Sequence, residues 1–128
     1  MGTENITMIS AGHYHTLVLS SANKVYAFGE NLYGQTGGII GTTYLSMIEV
    51  FVPSLAQPVF SIATGPYISF IISESGNVLA FGQGATSLEG IPQNTATPTL
   101  VSNPPSIRNM MVFQSPSVMT NTLLYGYN

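Results

Sequence analysis

Two histidines separated by one residue, His13 and His15, are the side chains with the clearest capacity for chemistry. In an extended segment alternate side chains point to the same side, so the pair could supply two imidazole ligands to a zinc or copper ion. A third ligand is missing, because the chain has no cysteine and no aspartate and its five glutamates are scattered. We therefore expect no metal site, and we interpret His15 as a structural residue that holds backbone carbonyls at a turn.

The glycine-rich segment from Gly29 to Thr36 has nearly the spacing of a phosphate-binding loop. The position of the essential lysine in that motif is occupied by Gln35, which carries no positive charge. Gly37 and Gly38 also disfavour the helix whose N-terminus would hold the anion. The chain lacks the Gly-x-Ser-x-Gly turn of serine hydrolases and any closely spaced pair of carboxylates. We expect neither enzymatic activity nor a bound cofactor.

Tyrosines offer a different capacity, because their rings combine apolar area with a hydroxyl group and are enriched at protein interfaces. Tyr14 and Tyr67 follow two glycines, Gly12 and Gly65, that prove below to be equivalent, and Tyr33 lies in the glycine-rich segment. We interpret Tyr14, Tyr33 and Tyr67 as candidate protein-contact residues. The alternative, that each ring packs over its own sheet, stays open at this point.

Charge is scarce along the whole chain. Charged residues make up 5% of the sequence, the cations are Lys24 and Arg108, and the net charge is −3. Two cations cannot neutralise the roughly six to ten phosphates that DNA-binding proteins engage, so we expect no direct nucleic-acid binding. The low charge also leaves little repulsion between copies, which favours self-association.

The sequence gives no indication of a membrane segment. No apolar run approaches the roughly 18 residues that suggest a membrane span. The N-terminus has neither the basic nor the apolar region of a signal peptide. These features favour the cytoplasm or the nucleus.

The elements that must position these residues are short strands that recur along the chain. Three sequence blocks return at one offset of 53 residues, without a gap. A single offset for three separate blocks indicates an internal repeat. The matched blocks are Ile9–Gly12 with Ile62–Gly65, Thr16–Ser20 with Ser69–Ser73, and Val25–Gly29 with Val78–Gly82.

Each repeat predicts a hairpin followed by an outer strand. In the first repeat the apolar runs at 16–19 and 25–28 flank a polar turn. That turn places Asn23 where the second repeat has Gly76, the two residue types that best tolerate positive φ. An outer strand is predicted at 43–52, whereas the prolines at 83–105 predict a connector. No segment has a sustained helical period, so we predict a nearly all-β protein.

The first repeat also forms a long and specific pattern. The pattern consists of Ala11-Gly12, the run from His15 to Leu19, the run from Val25 to Gly29, and Asn31 with the Gly-Gln-x-Gly sequence at 34–37. This pattern resembles the repeat of the regulator of chromosome condensation family, with a threonine at 36 where that family usually has leucine. The second repeat keeps its two glycine-containing blocks but has isoleucine at 68 in place of the family histidine. A third copy keeps only part of the pattern.

The resemblance implies a β-propeller built from four-stranded antiparallel blades, in a ring of roughly 4–8 blades. The chain would hold two blades and part of a third, in approximate units 6–58, 59–105 and 106–128, and so reads as a truncated piece of a longer protein. Further blades or a second copy would complete the ring. The resemblance implies structural roles for Gly12, His15, Gly29, Gly34, Gln35, Gly37, Gly65, Gly76 and Gly82.

The function implied by the same resemblance is that of a non-catalytic protein-interaction module. Some members of the family promote guanine-nucleotide exchange on a small GTPase through a loop on one face of the ring. An exchange factor for a small GTPase, acting as part of a longer chain, is therefore the alternative. The expected partner is a protein in both cases.

Overall fold

The computed structural model describes residues 4–83 and 94–101, together with the backbone of two short strands at 111–112 and 123–124. These residues form ten β-strands and one 3₁₀ turn, with no α-helix among them. Accordingly, none of the described segments is a helix that could cross a membrane. The prediction of an all-β protein is confirmed.

The first four-stranded sheet follows chain order, with each strand antiparallel to the one before it. It comprises β1 (Ile6–Ala11), β2 (His15–Ser20), β3 (Val25–Gly29) and β4 (Tyr44–Val50). The hairpin and the outer strand are where the repeat predicts them. Asn23 has a φ of 64° in the β2–β3 turn, the left-handed conformation expected there.

The second sheet repeats the first with the same strand order. Its strands are β5 (Val59–Thr64), β6 (Ile68–Ser73), β7 (Val78–Gly82) and β8 (Thr95–Leu100). Gly76 occupies the β6–β7 turn with a φ of 99°. A 3₁₀ turn at 54–56 connects the two sheets.

The strand β8 lies within residues 83–105, which we predicted to be a connector. Pro98 is part of β8, and the prolines were expected to exclude only helix interiors and central strands. β8 is the outer strand of its sheet, and a proline at an edge removes no hydrogen bond from the interior of the ladder. The prolines therefore exclude a central strand here but not an edge strand.

A third, two-stranded element consists of β9 (Met111–Val112) paired antiparallel with β10 (Leu123–Leu124). Both strands fall in the predicted third unit at 106–128. The other residues of that unit lie outside the described part of the chain.

The two four-stranded sheets pack face to face and share one hydrophobic core. Burying each large apolar side chain stabilises the fold by about 1.5–3 kcal/mol. The core consists of Leu17, Leu19, Val25, Ala27, Val50, Ala56, Val59, Ile62, Ile71, Leu79 and Phe81.

The opposite face of the first sheet, which we call the open face, differs from its counterpart in the second sheet. It carries Ile9, Val18, Tyr26 and Phe28, because these residues alternate with the core residues along their strands. The corresponding residues of the second sheet, 53 positions later, all belong to the shared core. Ile9 is 56% exposed, whereas its counterpart Ile62 is fully buried. Val18 on the same face is buried, and Tyr26 and Phe28 are half-buried. Within the described residues, the sheets thus form an unclosed ring in which no sheet packs on the open face.

Candidate protein-contact surface

Three loops bring four aromatic rings together at one end of the strands, which we call the rim edge of the two sheets. The β1–β2 loop carries His13 and Tyr14, the β3–β4 loop carries Tyr33, and the β5–β6 loop carries Tyr67. We call these four residues the aromatic rim cluster. The structure thus joins the three predicted contact tyrosines and adds His13, which sequence reasoning considered only as a metal ligand.

The rings of the aromatic rim cluster contact one another across the boundary between the sheets. The ring of Tyr67 lies 5.3 Å from that of His13, 5.5 Å from that of Tyr33 and 6.4 Å from that of Tyr14, centroid to centroid. The first two contacts are edge-to-face, an arrangement that the ring quadrupoles favour. The Tyr67 hydroxyl also lies 3.4 Å from Nδ1 of His13. The rings therefore pack on each other.

Exposure differs within the cluster in a way that suits a contact surface. Tyr14 is 64% exposed and His13 is also exposed, whereas Tyr33 and Tyr67 are half-buried. The half-buried rings hold the more exposed ones in place. Aromatic side chains fixed before binding lose little entropy when a partner arrives.

The β1–β2 loop is anchored by backbone hydrogen bonds to both sheets. The N–H of Gly12 donates to the carbonyl of His15 over 2.8 Å, and the N–H of His13 donates to the carbonyl of Pro66 in the next sheet over 3.0 Å. A methyl group at Gly12 would collide with the His15 ring and would lie 2.6 Å from the Gly65 carbonyl oxygen. Space therefore explains the glycine at position 12.

His15 lies beneath this loop and links the two sheets. It is 2% exposed, and its Nε2 lies 2.9 Å from Oγ of Ser69. That hydroxyl donates its one hydrogen to the carbonyl of Gln35 over 2.6 Å, so it must accept the hydrogen of His15 Nε2. The hydrogen bond of His15 thus goes to a hydroxyl group of the neighbouring sheet, and this hydroxyl in turn reaches a carbonyl. The sequence alone does not predict this relay.

Burial determines the charge state of His15. Desolvation lowers its pKa to about 4, and the backbone of Ile68 opposes part of that shift. The imidazole is therefore neutral near pH 7, and its Nδ1 makes no hydrogen bond within the described structure. Among the described residues, no group of three histidine, cysteine, aspartate or glutamate side chains could hold a metal ion. His13 and His15 occupy different environments, one exposed and one buried.

The β3–β4 loop that carries Tyr33 is held by two buried amide side chains. Oδ1 of Asn31 accepts from the N–H of Thr36 over 2.8 Å, and Nδ2 of Asn31 donates to the carbonyl of Ile39 over 2.7 Å. Oε1 of Gln35 accepts from the N–H of Tyr33 over 2.9 Å. Gln35, at the lysine position of a phosphate-binding loop, is fully buried and positions Tyr33.

The remaining glycines of the predicted pattern lie at turns and at close approaches between sheets. Gly34 has a φ of 93°, and a methyl group there would lie 2.8 Å from the backbone of residues 95 and 96 in β8. The N–H of Gly65 donates to the Ile68 carbonyl in the β5–β6 loop. Positive φ values are also found at Gly29, Gly37 and Gly82.

A second concavity, of about 560 Å³, lies at the opposite edge of the sheets. It is lined by the β2–β3 turn and the segment after β4, including Lys24, Glu49 and Phe51. None of the predicted contact tyrosines lies there. The aromatic rim cluster is therefore the surface that unites the predicted contact residues.

Comparison with known proteins places this geometry in a family. Residues 6–35, which run from β1 into the β3–β4 loop, match the model of the regulator of chromosome condensation (RCC1) repeat. The chain is 32% identical over 78 residues to the probable E3 ubiquitin-protein ligase HERC4 of Mus musculus, covering 61% of this chain and 7% of HERC4. It is 31% identical over 99 residues to the protein RCC1 of Candida albicans, covering 73% of this chain and 21% of that protein. Residues 6–35 therefore form an RCC1-type repeat, and the chain is similar to RCC1-repeat proteins.

A solved RCC1-type structure supports the fold. Prp20p of Saccharomyces cerevisiae, a protein studied for its binding to Gsp1p and histones, superposes with a TM-score of 0.62 at 19% identity. The match covers 80% of this chain and 27% of Prp20p. The two four-stranded sheets therefore have the fold of propeller blades. The predicted resemblance to the RCC1 repeat and the predicted blade architecture are confirmed. The chain spans only 7% and 21% of the two curated relatives described above.

Proposed function

We propose that this RCC1-repeat chain is a non-catalytic protein-interaction module that contacts its partner through the aromatic rim cluster. The observation that carries the proposal is the assembly of four aromatic rings from loops of two blades, with Tyr14 64% exposed. Tyrosines in packed, partly buried surroundings are the residues that most often dominate binding energy at interfaces.

Binding without catalysis fits the chemistry of the described residues. The buried polar side chains of the first blade hold loops and link blades, as the relay from His15 through Ser69 to Gln35 shows. The ligase activity in the name of HERC4 is that of a protein of which this chain overlaps 7%. We propose that the present blades supply recognition and no reactive group.

Guanine-nucleotide exchange on a small GTPase, as part of a longer chain, is the second candidate. It is supported by the family pattern and by the likeness to Prp20p, which was studied for binding to Gsp1p. An exchange factor of this kind needs no reactive side chain, because a loop that displaces the nucleotide suffices. The rim loops, β1–β2 and β3–β4, are the segments we propose for that contact.

We also propose that the repeat units at 6–58, 59–105 and 106–128 are arranged as successive blades and that further blades or another copy cover the open face. Each blade of a repeat protein is stabilised mainly by its neighbours. The 56% exposure of Ile9, against full burial of its counterpart, supports a missing neighbour at that face.

A photo-crosslinking amino acid at position 14 of the natural full-length protein tests the contact surface. We expect it to trap a specific protein in cell extract, and Tyr14→Ser to weaken the purified complex at least about tenfold. Phe60→Ser, which alters another exposed aromatic residue, is the control. Equal affinity of the Tyr14→Ser and wild-type proteins would contradict the proposal. Accelerated release of a fluorescent GDP analogue from the trapped protein would favour the exchange-factor alternative.

A further inference from the structure

We infer that the aromatic rim cluster receives a cationic side chain, an arginine or a lysine, from the partner protein. This inference rests on the proposed role of the cluster as a contact surface and adds the chemical class of the group that it binds. Three features carry it: the exposed ring surface, the charge at this edge and the position of the cations.

The first feature is the π-surface. The faces of aromatic rings carry negative potential and attract cations. Tyr14 is 64% exposed, and its ring lies 5.8 Å from His13 and 6.4 Å from Tyr67. An arginine or lysine side chain that contacts the Tyr14 ring is therefore long enough to contact the His13 or Tyr67 ring as well.

The second feature is an acidic residue whose backbone adjoins the loop that carries Tyr14. The N–H of Glu30 donates to the carbonyl of Tyr14 over 2.8 Å, so the two main chains are neighbours. Glu30 is itself partly exposed. A cation on the rings is attracted by the ring quadrupole, and a glutamate in the adjoining segment adds negative charge to this region.

The third feature is the absence of competing cations at this edge. The sequence has two cations, and Lys24 lies beyond the far end of β2, a strand of six residues that begins at the rim loop. At about 3.3 Å per residue, roughly 20 Å separates Lys24 from the cluster, well beyond the screening length of about 8 Å at physiological salt. The second cation, Arg108, lies outside the described residues. Among the described residues, no lysine or arginine therefore lies beside the aromatic rim cluster.

A pair of matched peptides tests the inference on the full chain. One probe is acetyl-Gly-Gly-Arg-Gly-Gly-amide, and the other has citrulline, a neutral group of nearly the same shape, in place of arginine. We expect NMR titration to shift the ring resonances of Tyr14 and Tyr67, with the arginine peptide binding about three- to thirty-fold more tightly than its neutral counterpart. The preference should shrink in high salt.

Variants distinguish the contribution of the Tyr14 ring from that of its hydroxyl group and from that of aromatic residues elsewhere on the surface. Tyr14→Leu should abolish the preference for arginine, Tyr14→Phe should retain it, and Glu30→Gln should reduce it. Phe51→Leu, at an exposed aromatic residue on the opposite edge, should leave it unchanged.

Two outcomes would overturn the inference. Equal binding of the arginine and citrulline peptides would show that charge plays no part. Absence of any shift at Tyr14 would show that the rings receive no cation. Neither result bears on the crosslinking experiment at position 14, so failure of this inference is distinguishable from failure of the contact surface itself.

Discussion

At the scale of the residue, His15 shows that a side chain capable of acid–base and metal-binding chemistry can have a purely structural role. Its imidazole is buried, neutral and hydrogen-bonded through Nε2 to a hydroxyl group of the next blade. The equivalent position in the second blade is Ile68, also buried. The position therefore requires volume in both blades and polarity only in the first.

Stability should depend on pH through His15. Its pKa is about 4 in the folded chain and near 6.5 when the residue is exposed, so the unfolded state takes up the proton first as pH falls. The free energy of unfolding should therefore decrease between pH 6.5 and pH 4, by about 3 kcal/mol at most. Urea denaturation at a series of pH values measures this decrease.

The variant His15→Ile, which copies the second blade, should lose this part of the pH dependence. His13→Asn, a change of the exposed histidine, should keep it. Identical pH profiles for His15→Ile and the wild-type chain would show that His15 is not the responsible group.

Gly12 illustrates a structural role that comes from space and not from backbone conformation. Among the described glycines, the positive φ values fall at positions other than Gly12 and Gly65. At Gly12 the constraint is the space taken by the His15 ring and the carbonyl of Gly65. The distinction between conformation and space depends on the neighbouring blade, which the local sequence does not show.

Gly12→Ala should accordingly destabilise the chain by about 2–3 kcal/mol, because the added methyl group overlaps its neighbours. Gly41→Ala is the matched control, since Gly41 has a φ of 94° but nothing within 4 Å of the added group. It should cost only the conformational penalty of about 1 kcal/mol. Thermal and urea unfolding measure both, and a smaller loss for Gly12→Ala than for Gly41→Ala would contradict the steric explanation.

At the scale of the element, the β2–β3 turn does more than reverse the chain. Oδ1 of Asn23 accepts from the N–H of Val59 over 2.7 Å, and Nδ2 of Asn23 donates to the carbonyl of Val59 over 3.2 Å. The turn therefore attaches the first blade to the first strand of the second. Turn propensity alone would rank glycine above asparagine at this position.

Replacing Asn23 should distinguish its two roles. Asn23→Gly keeps the left-handed backbone but loses both hydrogen bonds, so we expect a loss of about 1–2 kcal/mol in spite of the better turn residue. Asn23→Ala should cost about 1 kcal/mol more, because alanine also disfavours positive φ. Denaturation midpoints give both values, and stabilisation by Asn23→Gly would show that the contact with Val59 contributes nothing.

Most strands of the two blades could be predicted from the sequence, because hydrophobic blocks and turn residues recur at one offset and each strand pairs with its neighbour in the chain. Contacts between the blades could not. The pairs His13–Tyr67, Ser10–Thr64 and His15–Ser69 are each separated by 54 residues, one more than the repeat. No local pattern reveals that shift. The aromatic rim cluster and the buried relay both depend on it.

At the scale of the whole molecule, the two faces of the assembly are unequal. The interface between the blades buries its apolar side chains, whereas Ile9 on the open face is 56% exposed. Exposed apolar area of this kind favours association with another protein or another copy. Low net charge does little to oppose it.

A matched pair of substitutions, Ile9→Lys and Ile62→Lys, tests this asymmetry at equivalent positions. Ile9→Lys should preserve the melting temperature and reduce any concentration-dependent association seen in sedimentation velocity. Ile62→Lys should unfold the chain or cost more than about 4 kcal/mol, because it buries a charge in the core between the blades. Similar loss of stability in both variants would mean that the open face is covered in solution.

The order of the strands has a consequence for the integrity of the polypeptide. The backbone ladder of every strand in the two blades pairs only with strands of the same sheet, and residues 51–58 join the sheets without a strand of their own. A break in that segment would cut no rung of either ladder. The two halves would still share an apolar interface and the side-chain bonds of His15 and Asn23. The molecule is thus suited to reconstitution from two separately made halves.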